Sequence, residues 1–198
     1  MLAEGRASEI LDLGNDRVLR RFKAGGRPAR EAEVMAHASR HGFPVPNVLE
    51  VLDDALVLER VDGQTMLADL RRRPWRAGGH ARTLAGLHRR LHEIPFDGER
   101  LLHLDFHPDN ILLSRRGPVV IDWANARGGK PALDVAMTWV ICATSGGALG
   151  RLFARLFLRH VDRAAARDAL PEAVESRIAD PNVTDAERAR ARRLTRIA

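Results

Sequence analysis

The sequence predicts an α+β protein of two lobes, a small antiparallel-sheet lobe with one helix over residues 1–62 and a mainly helical lobe over 63–198. Three observations carry that prediction. Up to Val61 the chain reads as short strand-like segments broken by Gly, Asn and Asp turns, with one helical stretch among them. Beyond Gly63 the apolar residues recur at helical spacing. Between residues 111 and 121 a separate hairpin pattern interrupts the helical part, directly after a cluster of His, Asp and Asn.

Taken in order, residues 2–23 give two or three short strands, with Ser8–Leu13 and Val18–Phe22 flanking a turn at Gly14-Asn15-Asp16. Gly25-Gly26-Arg27 is a loop. Pro28 suits a first helical position, and the helix 28–41 ends at Gly42 with Val34, Met35 and Ala38 on one apolar face. Phe43-Pro44-Val45-Pro46 must be extended. Val48–Leu52 and Ala55–Val61 then pair around Asp53-Asp54. Thr65 caps a helix over 66–73, and Leu84, Leu87, His88 and Leu91 mark one face of a helix over 79–93. In the tail, Leu152, Phe153, Leu156 and Phe157 form an apolar stripe, Pro171 and Asp180-Pro181-Asn182 interrupt it, and Thr184-Asp185-Ala186-Glu187 opens a last helix as a capping box.

The chemistry is concentrated in His103-Leu104-Asp105-Phe106-His107-Pro108-Asp109-Asn110 and in Val120-Ile121-Asp122-Trp123. Ile111-Leu112-Leu113 and Val119-Val120-Ile121 read as two strands around the turn Ser114-Arg115-Arg116-Gly117. That hairpin carries Asp122 back beside Asn110. Two oxygen-bearing side chains then suit a hard cation such as Mg2+, with Asp105 left for a hydroxyl nucleophile, the layout that phosphoryl transfer needs. Two other readings compete. The acids and amides can simply cap turns. His103, Asp105 and His107 can alternate onto one face as a transition-metal set, although Pro108 favours a loop over a strand there.

The 198 residues suffice for one domain or two packed lobes, and no apolar run approaches the ~20 residues that span a bilayer. The N-terminal Met1-Leu2-Ala3-Glu4-Gly5-Arg6 lacks the basic-then-apolar order of a signal peptide, so a cytoplasmic location is expected. Cys142 is the only cysteine and sits among apolar neighbours, which predicts a buried, inert thiol. The net charge of +6 comes from 32 basic residues of which only Lys23 and Lys130 are lysines. A nucleic-acid binder needs a basic stripe interleaved with stacking aromatics. This chain has no tyrosine, and its runs at 71–73 and 188–193 read as helix faces or ends. Neither a nucleic-acid nor a membrane partner is expected, and no heptad or edge strand marks a dimer.

The acidic block resembles the catalytic and metal-binding loops of the aminoglycoside phosphotransferase and choline kinase-like enzymes, relatives of the protein kinases. That resemblance implies a protein kinase-like two-lobe fold, ATP and Mg2+ as cofactors, and transfer of the γ-phosphate to a hydroxyl of a small molecule. It implies Asp105 as catalytic base, and Asn110 and Asp122 as magnesium ligands. It extends to Gly128-Gly129-Lys130-Pro131-Ala132-Leu133-Asp134, where Lys130 stands in place of an acid and Asp134 fits a structural anchor of the catalytic loop.

The lobe of residues 1–62 is the nucleotide-binding one on this mapping. Arg20 takes the place of the family's phosphate-binding lysine, with Val18 on the same strand face roofing the adenine. Arginine keeps the charge but is longer and planar, so the exchange is not neutral. Lys23 is the fallback cation. Glu31 is the acid that pairs with it, and Glu33 is its rival. Gly5 belongs to the phosphate-covering loop, and Leu58-Glu59-Arg60-Val61 to the hinge, where Glu59 and Val61 contact the nucleotide through backbone groups.

The acceptor is less defined. Over 151–198, eleven arginines face seven acids, which disfavours a polycationic substrate. A small-molecule kinase is therefore the leading expectation. A kinase-like nucleotide- or partner-binding module with weak or no turnover is the alternative, motivated by Arg20, and a nucleic-acid binder is the third.

Overall fold

The computed structural model describes residues 3–4, 8–23 and 26–197. Along the chain run β1 (Ala3–Glu4), β2 (Ser8–Gly14), β3 (Arg17–Phe22), α1 (Pro28–Arg40), β4 (Val48–Val51), β5 (Ala55–Glu59) and β6 (Gln64–Thr65). They are followed by α2 (Met66–Arg72), α3 (Ala77–Leu91), β7 (Pro95–Phe96), β8 (Glu99–Leu102), β9 (Ile111–Ser114), β10 (Gly117–Val120) and β11 (Arg127–Gly129). The remainder is helical, with α4 (Pro131–Ser145), α5 (Gly147–Phe157), α6 (Arg163–Asp168), α7 (Leu170–Ala179) and α8 (Asp185–Ile197). The result is α+β, as the sequence predicts. No helix among the described residues is long and apolar enough to cross a membrane.

Contacts divide the chain into two units, residues 1–65 with 110–126, and residues 66–109 with 127–198. The β9–β10 hairpin thus groups with the N-terminal residues. The physical reason is β6, whose Gln64 and Thr65 pair with Leu113 and Leu112 of β9 and so draw the β9–β10 hairpin into the first unit. Gly63 makes this possible, because a Cβ there would lie 2.5 Å from the Leu113 carbonyl oxygen.

The first unit is a five-stranded antiparallel sheet, ordered β1-β2-β3-β5-β4, with α1 and the β9–β10 hairpin. Pro28 starts α1, and the chain leaves it through Gly42 at φ 72°, a left-handed exit that glycine takes without Cβ strain. Its buried face carries Glu31, Val34, Met35 and Ala38, the i, i+3, i+4, i+7 stripe of a packed helix. The hairpin is fixed by the Val120 N–H donating to the Pro44 carbonyl at 2.8 Å and by Trp123 packed edge-on to Phe43, ring centres 5.7 Å apart.

The second unit is built on α4, which is apolar nearly all round and correspondingly buried. Leu133, Ala136, Met137, Val140 and Ile141 meet Leu102, Leu170, Ala173, Val174 and Ala191 in one core. Some arginines in and near the basic runs are committed here. Arg73 and Arg76 reach the buried Asp69 at 3.3 and 3.0 Å. Arg188 donates to the carbonyls of Ile178 and Asp180, and Arg190 to that of Thr144, so they serve helix ends as cations do. The capping box forms, with the Glu187 carboxylate accepting from the Thr184 N–H at 2.9 Å and from its hydroxyl at 2.7 Å.

Candidate active site

The first unit holds a buried cation between two acids. β3 alternation turns Arg20 inward, where it is only 5% exposed. Its Nε donates to Ser8 Oγ at 3.2 Å, its Nη1 to Glu31 Oε1, and its Nη2 to Asp122 Oδ1 at 2.5 Å. The planar fork lets one side chain serve three partners at once. Glu31 is 2% exposed and its Oε1 also accepts the Trp123 N–H at 3.1 Å. Burial pushes the Glu31 carboxyl up to about 7, against the pull of Arg20 and with the like charge of Asp122 adding to the rise.

Asp122 and Asn110 stand at the open end of the β9–β10 hairpin. Val120 pairs with Ile111, and the Ile121 N–H donates to the Asn110 carbonyl at 3.0 Å, which fixes the two residues across one strand end. Asp122 has a left-handed backbone, φ 65°, a conformation that costs a non-glycine residue about 1 kcal/mol or more. Its side chain stays 40% exposed beyond the Arg20 contact. Asn110 is buried. Two oxygen donors at one strand end, one of them an accessible carboxylate, fit a hard divalent ion.

Other nucleotide-side positions are placed as follows. Val18 is half-buried on β3. The Glu59 carboxylate accepts from the Asn47 N–H and side-chain amide at 3.1 and 3.0 Å and pairs with Arg116 at 2.7 Å. The N–H groups of Glu59 and Arg60 donate to the carbonyls of Asn47 and Asp16, whereas Val61 follows the strand end half-buried. Gly5 lies outside the described residues.

The second unit holds Asp105. Its loop is anchored by Asp134, whose Oδ1 accepts the Leu104 N–H at 2.7 Å and whose Oδ2 accepts the His103 N–H at 3.2 Å. Leu104 is left-handed, φ 63°, an outlier for so bulky a residue, and the Asp134 contact holds it there. Burial would raise the Asp134 carboxyl, but the neighbouring His88 and His92 imidazoles hold it well below the carboxylate range. The backbone N–H of Asp105 donates to His103 Nδ1 at 3.3 Å, so that ring nitrogen is engaged locally and not in a His103–Asp105–His107 metal set. His107 is more than a turn residue, since its Nε2 lies 3.4 Å from Asp105 Oδ1. Burial raises Asp105, yet His107, His103 and Arg177 together hold it below its ordinary value, an ionised acceptor at neutral pH. Cys142 is buried and its thiol is pushed up to about 12, first by burial and then by the Asp105 charge.

Residues 97–170 match the model described as the phosphotransferase enzyme family, and residues 18–128, more than half of the chain, match a RIO domain model. The RIO domain match, over more than half of its length, places the chain in the RIO domain family, and the phosphotransferase-family match is confined to residues 97–170. Thiamine kinases of Salmonella paratyphi B and Salmonella newport are each 45% identical over 58 residues, which is 26% of this chain and 21% of theirs. The match thus spans about a fifth of the length of these curated relatives. Among solved structures, a choline/ethanolamine kinase family protein from Mesorhizobium loti superposes with TM-score 0.66 at 17% identity, covering 98% of this chain and 84% of that one. An ethanolamine kinase from Plasmodium vivax gives 0.67 at 10%, covering 95% and 81%. A thermostable aminoglycoside phosphotransferase mutant, in ternary complex with AMP-PNP and hygromycin B, gives 0.64 at 19%, covering 98% and 92%. At these identities the phosphotransferase family likeness is one of fold.

Proposed function

We propose that this chain is a magnesium-assisted, ATP-dependent phosphotransferase acting on a hydroxyl group of a small molecule. The observation that carries the reading is Arg20, a buried cation held between Glu31 and the exposed carboxylate of Asp122. A cation this costly to bury, aimed at an accessible acid, fits a site for polyanionic phosphates.

Asn110 and Asp122 would hold the ion, which when bound offsets charge on the phosphate oxygens. Arg20 orients and neutralises phosphate from the protein side, and Glu31 keeps it extended. Asp105 accepts the hydrogen bond of the acceptor hydroxyl and takes its proton as the new O–P bond forms. The bond between the γ-phosphorus and the β–γ bridging oxygen breaks, and ADP leaves. A carboxylate with a lowered pKa is a weak base, so Asp105 acts mainly by orientation, as suits a loose phosphoryl transition state. With the N–H groups of Glu59 and Arg60 already engaged, a hinge N–H for the adenine falls to Val61, and Glu59 would contribute through its carbonyl. Val18 would cover the base.

A second reading, a nucleotide- or partner-binding module without turnover, is favoured by the same contact. Arg20 already bonds Asp122, and an ion on that carboxylate has to share or displace it. The discriminating experiment is an ADP-release assay with Mg-ATP against thiamine, choline, ethanolamine and an aminoglycoside. Acceptor-stimulated ADP release with a phosphorylated product supports the kinase. Nucleotide binding without product from any hydroxyl acceptor supports the module.

A further inference from the structure

α3 and α4 bring together His88, His92 and Asp134, of which only Asp134 has a part in the site described above, as anchor of the Asp105 loop. His88 and His92, four residues apart on one side of α3 and its C-terminal end, face Asp134 at the start of α4. The ligand-type atoms of the three residues lie within 4.8 Å of one another. His92 Nε2 is 2.9 Å and His88 Nδ1 3.5 Å from the same oxygen, Asp134 Oδ2.

The hydrogen bonds around His88 decide its tautomer. The Thr138 hydroxyl has one proton, and it goes to the Phe106 carbonyl at 2.6 Å. His88 Nε2, 3.0 Å from Thr138 Oγ1, must therefore carry a proton and donate it. A neutral His88 then has its Nδ1 lone pair inward. That atom is buried and has no hydrogen-bond partner. A lone pair aimed at a carboxylate oxygen is uncompensated unless a proton or a metal ion lies between them, and at 3.5 Å without hydrogen-bond geometry the contact suits the ion.

We propose that His88 Nδ1, His92 Nε2 and Asp134 Oδ2 form a zinc-type divalent-metal site that fastens α3 to α4 behind the Asp105 loop. Two imidazoles and one carboxylate are a borderline ligand set of the zinc kind, not a magnesium set. Tetrahedral zinc with bonds of about 2.0–2.1 Å places its ligands roughly 3.3 Å apart, close to the 2.9 and 3.5 Å found here. The outer contacts also fit. His88 Nε2–H is oriented by Thr138, and Asp134 Oδ1 by the Leu104 N–H, as supporting groups orient ligands in metal centres. Binding displaces the Nε2 proton that His92 donates to Asp134, so one proton leaves as the ion enters. Water completes the fourth position.

This proposal stands apart from the phosphotransferase reading, and its test needs no activity. The full chain is stripped with a chelator and titrated with zinc and with cobalt(II). The expected result is one ion per chain, a melting temperature raised by several degrees, and the visible spectrum of four-coordinate cobalt without a thiolate band. His92→Gln should weaken zinc at least tenfold, whereas His41→Asn should not, which separates this site from the more exposed His37–His41 pair at the C-terminal end of α1. Should His92→Gln fold poorly, histidine nitrogen NMR of the wild-type zinc complex still decides, with one ring metallated at Nδ1 and protonated at Nε2. Failure of the wild type to bind stoichiometric zinc would overturn the proposal. So would zinc lost with His41→Asn but kept with His92→Gln, or the absence of an Nδ1-metallated ring.

Discussion

Arg20 serves Ser8, Glu31 and Asp122 together, and a lysine at that position could not span all three. Arg20→Ala leaves the Glu31 carboxylate buried without its cation, so thermal or urea unfolding should show a loss of about 3–5 kcal/mol. Arg20→Ala with Glu31→Gln should recover much of that stability while nucleotide binding stays lost. Equal stability of the single and double variants would mean that the pair is not coupled. At the acceptor side, Asp105→Asn should lower kcat by about 10²–10⁴ with nucleotide affinity changed little, which steady-state rates and a binding titration measure separately. A larger effect on affinity than on kcat would remove Asp105 from the chemistry. The Arg20–Glu31 pairing was anticipated only through the family resemblance, with Glu33 as a rival, and the structure decides it by placing Glu31 on the buried stripe of α1 with Val34, Met35 and Ala38. The additional hold of Arg20 on Asp122 was not anticipated, because 102 residues separate them and nothing local signals the contact. His88 read as one more member of a helical face, since its partners Asp134 and Thr138 come from a helix some fifty residues later.

At the scale of elements, two joints carry sharp expectations. The capping box at the start of α8 binds the Glu187 carboxylate. Burial raises that carboxyl, but Ser145, the Thr184 N–H and hydroxyl, and Arg177 outweigh it and take it down to about 2. Unfolded Glu187 takes up its proton near 4.5, so between 4.5 and 2 the unfolded chain binds more protons and stability falls as pH falls. Glu187→Gln should therefore cost about 1 kcal/mol at neutral pH, and the gap between variant and wild type should close through that window in melts at stepped pH. A gap independent of pH would contradict the role of the charge. At the other joint, Gly63→Ala puts a methyl group 2.5 Å from the Leu113 carbonyl oxygen and should destabilise the protein by roughly 1–3 kcal/mol in denaturant unfolding. α1, α3 and the hairpins β2–β3, β4–β5 and β9–β10 were readable from apolar periodicity, Pro28 and the turn residues, whereas the short strands β7, β8 and β11 were not. The pairing of β6 with β9 was not readable either, because a two-residue strand carries no period.

For the whole molecule, the sequence predicted the α+β class and the kinase-like likeness, because one short block holds Asp105, Asn110 and Asp122 around a hairpin. It did not show how the chain divides, since the unit built on the β1–β5 sheet takes residues 110–126 from the middle of the other. The charge of +6 carried less meaning than its size, as several arginines are already fixed to Asp69 and to helix-end carbonyls. Bound nucleotide should stabilise the folded chain by mass action, about 2.7 kcal/mol at a hundredfold excess over Kd. The most direct test of the central claim is calorimetric titration of ATP, with and without magnesium, into wild type and Asp122→Ala. The account predicts one-to-one, magnesium-dependent binding by wild type, weakened at least tenfold in the folded variant. No binding by folded wild type, or equal binding by both proteins, would contradict it.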